Sequence, residues 1–280
     1  MRAERLWRGA LQRAQHAEAA GALVPLQTEL VALAGLEPFV LRRLLSRTPK
    51  HLRPGGPRPN PFLPWDAELE LERLGTTHVV LLNKFPVQPG HLLVISQQWQ
   101  SQAGWLDPVD WQAVVQVSTD TGGFWFFNSC AEAGASQPHR HLQLLPRHAG
   151  QPSCPLAEAF QRHLRGDPLP WPWSFQLSRR SAPDDPDELD RLYRDHAEAL
   201  GLGRPGLHPQ PRHPYNLLFD DDWFLMLRRR QEHCAGYSVN ALGFGGYLLA
   251  TEHSDLAWLQ DHGPLELLRR VATPLAAGGP

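Results

Sequence analysis

Cysteine is scarce in this chain. Its three copies, Cys130, Cys154 and Cys234, are odd in number, far apart and never form a C-x-x-C pair. That spacing argues against a disulfide framework and a thiolate zinc site and points to a reducing compartment, here expected to be the cytoplasm. Long apolar runs are missing as well: none approaches the ~18 residues of a membrane span, so no membrane partner is expected. An excess of positive charge is also absent. With 27 Lys and Arg against 29 Asp and Glu the formal charge is -2, so no global field attracts nucleic acid. A phosphate site has to be built locally. The acid-poor signature of a transit peptide fails at the Arg-rich start, "MRAERLWRGALQRAQHAEAAG", because Glu4 and Glu18 interrupt it. Leu6, Trp7, Ala10, Leu11 and Ala14 fall there at helical spacing, which predicts an ordinary first helix over 3–20.

What is present is a globular composition, 42% hydrophobic and 20% charged, in 280 residues, enough for one large domain or two of ordinary size. A second helix is expected over 36–46, then a Pro, Gly and Arg-rich loop over 47–65. "AELELERL" (67–74), "THVVLLNKF" (77–85) and "HLLVIS" (91–96) read as strands, the last two joined by the turn-forming "PVQPG". Asp107-Pro108 marks a helix start, and "GFWFFN" (123–128) is an apolar strand. The second half repeats the order. "WSFQLSR" is a strand, "DPDELDRLYRDHAEALGLG" has helical period, and "YNLLFD" with "DWFLMLR" suggests a hairpin. One or two strands are expected in "YSVNALGFGGYLLA", and helix from Ser254 to about Val271. The fold class is therefore α+β, a mainly antiparallel sheet with packed helices. The strand, helix, strand-pair order of each half suggests a degenerate duplication, divided as 1–165 and 166–280.

The chemistry concentrates in "GASQPHRHLQLLP" (134–146). A bare His-x-His is expected about 0.7 times by chance with 14 histidines, so context must decide. On a strand, alternate residues share a face; His139, His141 and Gln143 then point one way, and Leu142 and Leu144 toward a core. A solvated face holding histidines is the bland alternative. Zinc lacks a third ligand of His, Asp, Glu or Cys type in the row, so no metal site is expected there. Nucleophilic catalysis fits better. A neutral imidazole can attack phosphorus if its other nitrogen donates to an acceptor, for which a backbone carbonyl serves, and a carboxamide two residues on can donate to a phosphoryl oxygen. Upstream, Asn128, a run of small residues and Ser136 offer donors beside the imidazoles and room for an anion.

"HRHLQLL" resembles the histidine-triad signature with its third His replaced by Gln, as in the nucleotidyltransferase branch of that superfamily. "NPFLPWDAELEL", "LLNKFPVQPGHLLVIS", "NSCAEAGASQPHRHLQ" and "YNLLFDDDWFLMLRR…SVNALGFGGYLL" look like successive segments of diadenosine tetraphosphate phosphorylases (ATP adenylyltransferases), covering most of residues 50–250 in order. The resemblance implies a histidine-triad-like fold, with the catalytic motif in 1–165 and an ATP adenylyltransferase-like half in 166–280. It implies reversible cleavage of diadenosine tetraphosphate by inorganic phosphate into ATP and ADP, with diadenosine polyphosphates, ATP, ADP and phosphate as its partners. His141 would be the adenylylated nucleophile, with His139 orienting it and Gln143 and Ser136 holding the reacting phosphate. Asn128, Asn83, Lys84 and Lys50 would bind nucleotide or phosphate, and Mg²⁺ would accompany the polyphosphate. Alternatives are transfer to or from a sugar phosphate or adenylyl sulfate, or a nucleotide-binding protein without catalysis.

Cys130 stands where the family often has Gly, and "MLRRR" replaces its usual Pro-Arg. Arg228, Arg229 and Arg230 are thus either a solvated basic turn or a counter-charge for polyphosphate. The many Trp and the "FFN" run are expected in the core. His91 is expected to make a structural hydrogen bond, and "GFGG" to reflect close strand packing. No motif encodes the oligomeric state.

Overall fold

Two of the strands expected in the N-terminal half, His78–Leu82 and Leu92–Ser96, are buried at every position, so the sheet containing them is covered on both faces. The computed structural model describes residues 2–46, 60–147 and 150–275. In chain order the elements are α1 (Arg5–Ala19), β1 (Thr28–Leu30), β2 (Val40–Leu44), β3 (Glu70–Leu74), β4 (His78–Leu82), β5 (Leu92–Ser96), α2 (Pro108–Asp120), β6 (Gly123–Asn128) and β7 (His141–Pro146). They continue with α3 (Ala157–His163), β8 (Phe175–Arg179), α4 (Pro186–Ala199), β9 (Tyr215–Phe219), β10 (Trp223–Arg228), β11 (His233–Cys234), β12 (Tyr237–Ser238), α5 (Ala241–Phe244), β13 (Tyr247–Ala250) and α6 (Leu256–Val271).

The principal sheet has the order β3-β4-β5-β7-β6-β9-β10-β8, and every pairing in it is antiparallel. The α+β reading therefore holds. The two halves of the chain meet where β6 pairs with β9, from Trp125 opposite Phe219 to Asn128 opposite Asn216. One face is sealed by α1, α2 and α4 through Leu6, Trp111, Val114, Leu189 and Tyr193, which share one core with Leu142 and Leu144 of β7. Asp107 starts α2 by accepting from the amides of Val109 and Asp110, with Pro108 at the first helical position.

The opposite face is divided. Over β6, β9 and β10 it is covered by Phe160 of α3, Phe244 of α5 and Leu267 and Leu268 of α6. Over β4 and β5 a small cluster of Val79, Leu81, Leu93 and Ile95 packs under Phe62. Between these apolar zones the strands present polar side chains.

The helix expected over 36–46 is instead β2. It pairs antiparallel with β1 and parallel with β13, Tyr247 opposite Val40 through Ala250 opposite Arg43. A partner about two hundred residues away overrides the local apolar spacing. In "GFGG", Gly243 belongs to the short helix α5, and a Cβ at Gly245 would come 2.7 Å from the ring of Phe124; close packing is the reason for glycine there, but of a helix, not of strands. The "FFN" run and half of the tryptophans are in the core as expected, with Trp111, Trp125, Trp173 and Trp223 fully buried, whereas Trp99 is exposed.

Candidate active site

Strand β7 sets the geometry. Leu142 and Leu144 enter the core beneath α2, so His141 and Gln143 project to the other face. Their neighbours across the ladder are Ile95 and Leu93 of β5, and Gln143 also faces Phe126 of β6. His139 precedes the strand, tied by an isolated bridge to Ser101.

Both histidines are buried and have their protons placed by fixed partners. Nδ1 of His141 lies 2.7 Å from the carbonyl oxygen of His139. A carbonyl only accepts, so Nδ1 carries the proton and Nε2 keeps its lone pair, with no hydrogen-bond partner among the described residues. His139 is held on both sides. Nδ2 of Asn60 donates to its Nδ1 at 3.0 Å, and its Nε2 donates to the carbonyl of Ser96 at 2.8 Å. Phe62 lies against both rings, at 5.5 Å from His141 and 5.7 Å from His139 between centroids, and Trp99 meets His139 edge-on.

Where the β6–β7 ladder ends at Phe126 and Gln143, the buried carboxamide of Gln102 takes over. Its Oε1 accepts from the amide of His141 at 2.8 Å, and its Nε2 donates to the carbonyl of Asn128 at 2.7 Å. The wedge separates the two strands at His141 while pairing the backbone groups that the ladder gives up there.

Beside this pair opens a cavity of about 480 Å³ whose walls include Asn83, His91, Asn128, Ser136, Gln143 and Arg42. Four of the residues expected to contact nucleotide or phosphate are thus gathered around one space. His141 does not line it; its ring sits just beyond, against Phe62. Lys84 does not line it either, and its ammonium is 3.9 Å from Asp66. Lys50 lies outside the described residues.

The loop carrying Ser136 is braced by the C-terminal half. Gly134 has φ +88°, and a Cβ there would come 2.7 Å from the Cβ of Asn240, so only glycine permits this approach. Asn216 donates to Oδ1 of Asn128 and to the carbonyl of Ala133 at 2.8 and 2.9 Å. The amide of Ala241 also donates to Asn128 Oδ1. With Oδ1 doubly engaged, Asn128 turns its amide nitrogen elsewhere, and that nitrogen has no partner among the described residues.

Arg229, one of the three arginines left open by sequence, is fully buried. It donates to Asn216 Oδ1 at 2.6 Å and to the carbonyls of Val239 and Gln231 at 2.8 Å, with longer bonds to those of Val271 and Ala133. It is an internal brace. Arg228 reaches toward the carbonyl of Leu200, and Arg230 donates to that of Arg270.

Burial pushes His91 and His141 down to about 4 each, and His196 likewise. His139 is also lowered, chiefly by burial. At neutral pH these imidazoles are therefore uncharged. Unfolded histidines titrate near 6.5, so between there and 4 the unfolded chain binds more protons than the folded one, and stability falls as pH falls. Asp220, raised by burial to about 6, opposes this as a single carboxyl. Urea denaturation at pH 7.5 and 5.0 is expected to show a lower midpoint at pH 5.0; an unchanged or higher midpoint would contradict the neutral, buried assignment.

Fold and motif together define a histidine-triad-like α+β chain. Residues 1–162 match the family described as Ap4A phosphorylase N-terminal domain, and residues 152–274 the family described as ATP adenylyltransferase C-terminal domain. The chain belongs to the Ap4A phosphorylase family, a family of enzymes. Among curated proteins it is similar to Protein APA1 of Saccharomyces cerevisiae, 36% identical over 73 residues, covering 24% of this chain and 23% of that protein. It is also similar to diadenosine 5',5'''-P1,P4-tetraphosphate phosphorylase 2 of the same organism, 32% identical over 77 residues, 24% of each. These matches span about a quarter of the curated relatives' length. The fold is shared with yeast Ap4A phosphorylase Apa2: the structure in complex with Ap4A superposes with a TM-score of 0.75 at 20% identity, covering 99% of this chain and 100% of that one. The complex of Apa2 with AMP gives 0.74 at 21% identity, with the same coverage.

His91 makes the structural hydrogen bonds expected of it, to Asn83 and to Gln143; sequence reading missed Asn60, Gln102 and Arg42, and did not name the partners of His91. One signal was available for two of these positions. Asn-x-Phe occurs at 60–62 and at 83–85, and in both the Asn oxygen accepts from the Phe amide at 3.0 Å while its amide nitrogen donates to a histidine.

Proposed function

We propose that the chain cleaves diadenosine tetraphosphate with inorganic phosphate, giving ATP and ADP, by two successive displacements at one α-phosphorus. The observation that carries this reading is the His141 imidazole, neutral, protonated on Nδ1 and with an Nε2 that has no partner among the described residues, next to a cavity edged by Gln143, Ser136 and Asn128.

In the first displacement Nε2 forms a bond to the α-phosphorus, and the bond from that phosphorus to its bridging oxygen breaks. The electron pair leaves with ATP. The charge that develops on the ring is met by the His139 carbonyl, which already accepts from Nδ1. In the second, an oxygen of inorganic phosphate attacks the same phosphorus, the P–N bond breaks, the pair returns to Nε2, and ADP leaves. Gln143, Ser136 and Asn128 donate hydrogen bonds to the non-bridging oxygens in both steps, and Arg42 adds positive charge to the wall. In the reverse direction the same steps join ATP and ADP.

Mg²⁺ enters with the polyphosphate as part of the substrate. Among the described residues no group of three or more His, Cys, Asp or Glu side chains is arranged to hold a metal ion. None of the described helices is long and apolar enough to cross a membrane. The free thiols of Cys130, Cys154 and Cys234 are what supports a cytoplasmic placement.

The test is product analysis with diadenosine tetraphosphate and Mg²⁺, with and without phosphate. ATP plus ADP, formed only with phosphate, is the expected result. Cleavage without phosphate makes the chain a hydrolase. Turnover confined to a sugar phosphate or adenylyl sulfate moves it to another nucleotidyltransferase, and binding without products removes catalysis from the account.

A further inference from the structure

We propose that His91 is a positioning residue for the nucleotidyl transfer: it fixes the carboxamide of Gln143 so that its NH₂ group, not its oxygen, faces the reacting phosphate. The proposal rests on the reading above for the reaction, but its geometry stands on hydrogen bonds alone.

A carboxamide has two ends of nearly equal size and opposite hydrogen-bonding sense, so its direction follows only from a chain of partners that begins at a group of fixed sense. Here that group is the backbone amide of Phe85, which can only donate. It lies 3.0 Å from a terminal atom of Asn83, which is therefore Oδ1. The other terminal atom of Asn83 is then the amide nitrogen, a donor, 3.0 Å from Nδ1 of His91. His91 must accept there, so its proton is on Nε2. Nε2 lies 3.1 Å from a terminal atom of Gln143, which must accept and is Oε1. The NH₂ of Gln143 is left over. It has no partner among the described residues, and Gln143 lines the cavity.

One backbone N–H on the β4–β5 connection thus dictates, through two side chains, the polarity of a group on β7. The alternative sense would present a carbonyl oxygen to an anionic phosphate. Burial keeps His91 uncharged, with a pKa of about 4, so the sense of the chain persists at neutral pH. Phe126 packs near the ring on one side, at 5.7 Å between centroids, limiting its freedom to rotate. Asn60 does the same for His139, but that relay ends at the Ser96 carbonyl, whereas the one through His91 ends on a residue of the cavity wall.

Two measurements test it. The first is a double-mutant cycle of His91→Phe and Gln143→Ala, read in kcat and KM for diadenosine tetraphosphate. In the wild-type background His91→Phe is expected to lower kcat on the order of 10–100-fold, less than the ~10²–10³-fold typical of deleting an oxyanion donor outright, with KM changed by less than about threefold. In the Gln143→Ala background it is expected to change kcat by less than about twofold, and His91→Gln, which keeps an acceptor and a donor, to recover part of the loss. An equal fall in both backgrounds would show that His91 acts through general packing and overturn the proposal, as would wild-type activity in His91→Phe.

The second measurement needs no turnover. A ¹⁵N–¹H correlation spectrum of the imidazole nitrogens at neutral pH is expected to show His91 protonated on Nε2. Protonation on Nδ1 would overturn the relay whatever reaction the chain performs. Should the wild type fail to use diadenosine tetraphosphate while the Nε2–H form is found, it is the substrate assignment that falls and the relay that stands.

Discussion

His141→Ala is expected to abolish turnover of diadenosine tetraphosphate while leaving its affinity within about threefold of wild type. Loss of a covalent nucleophile removes the two-step path altogether, and kcat should fall by ~10⁴-fold or more. Affinity should survive because the cavity is walled by Asn83, Asn128, Ser136 and Gln143, and His141 stands outside that wall. The fold should survive too. The substitution frees one acceptor, the His139 carbonyl, and Gln102 still receives the amide of residue 141. Steady-state kinetics together with calorimetric binding of the substrate separates the two effects. Activity within tenfold of wild type would remove His141 from the chemistry; loss of binding and activity together would place it in the substrate pocket instead.

Arg229→Leu is expected to be the most damaging single change outside the catalytic strand. Five acceptors converge on this buried guanidinium, four of them backbone carbonyls, and its ring neighbour Phe244 lies 5.2 Å from the guanidinium carbon. Burial lowers its pKa to about 9, so it remains charged at neutral pH and its bonds are charge-assisted. Leucine fills part of the volume and satisfies none of the acceptors. Breaking such a hub should cost about 3–5 kcal/mol. At ~2–4 °C per kcal/mol for a chain of this size, Tm should drop on the order of 10 °C. Because Arg229 and Asn216 both hold the Ala133 carbonyl, activity should fall further than stability explains, through loosening of the Ser136 loop. Arg229→Lys keeps the charge but offers three donors, and should be intermediate. Thermal denaturation of the two variants checks the order; a Tm within 2 °C of wild type for the leucine variant would contradict the brace.

Most of the sheet was legible because its strands announce themselves locally. "THVVLLNKF", "HLLVIS" and "GFWFFN" are short apolar runs between turn-forming residues, and β4, β5 and β6 fall within them. The Asp107-Pro108 pair marked the start of α2, and the helical period of "DPDELDRLYRDHAEALGLG" marked α4; Asp107 caps as its pairing suggests, and Asp185 does the same at α4. Residues 36–46 misled because β2 sits between the three-residue β1 and a parallel partner from the far end of the chain, β13, which leaves no mark in its neighbourhood. The same physics divides the site. His141 and Gln143 were readable as a pair because period two is a local property of a strand. Asn60, His91 and Gln102 act across tens of residues by directional hydrogen bonds, and composition is blind to direction. The doubled Asn-x-Phe was the trace that Asn60 and the partner of His91 left. Arg229 was ambiguous for a related reason. A guanidinium in a basic triplet reads as solvated or ligand-facing until the carbonyls around it are known.

The most direct measurement of the central claim is capture of the intermediate. Wild-type chain mixed with diadenosine tetraphosphate and Mg²⁺ in the absence of phosphate, quenched at high pH and digested for mass spectrometry, should carry one adenylyl group on His141 through an acid-labile P–N bond. Subsequent addition of phosphate to unquenched enzyme should release that group as ADP. Adenylylation on any other residue, or phosphate-dependent turnover with no covalent adenylate at His141, would contradict it.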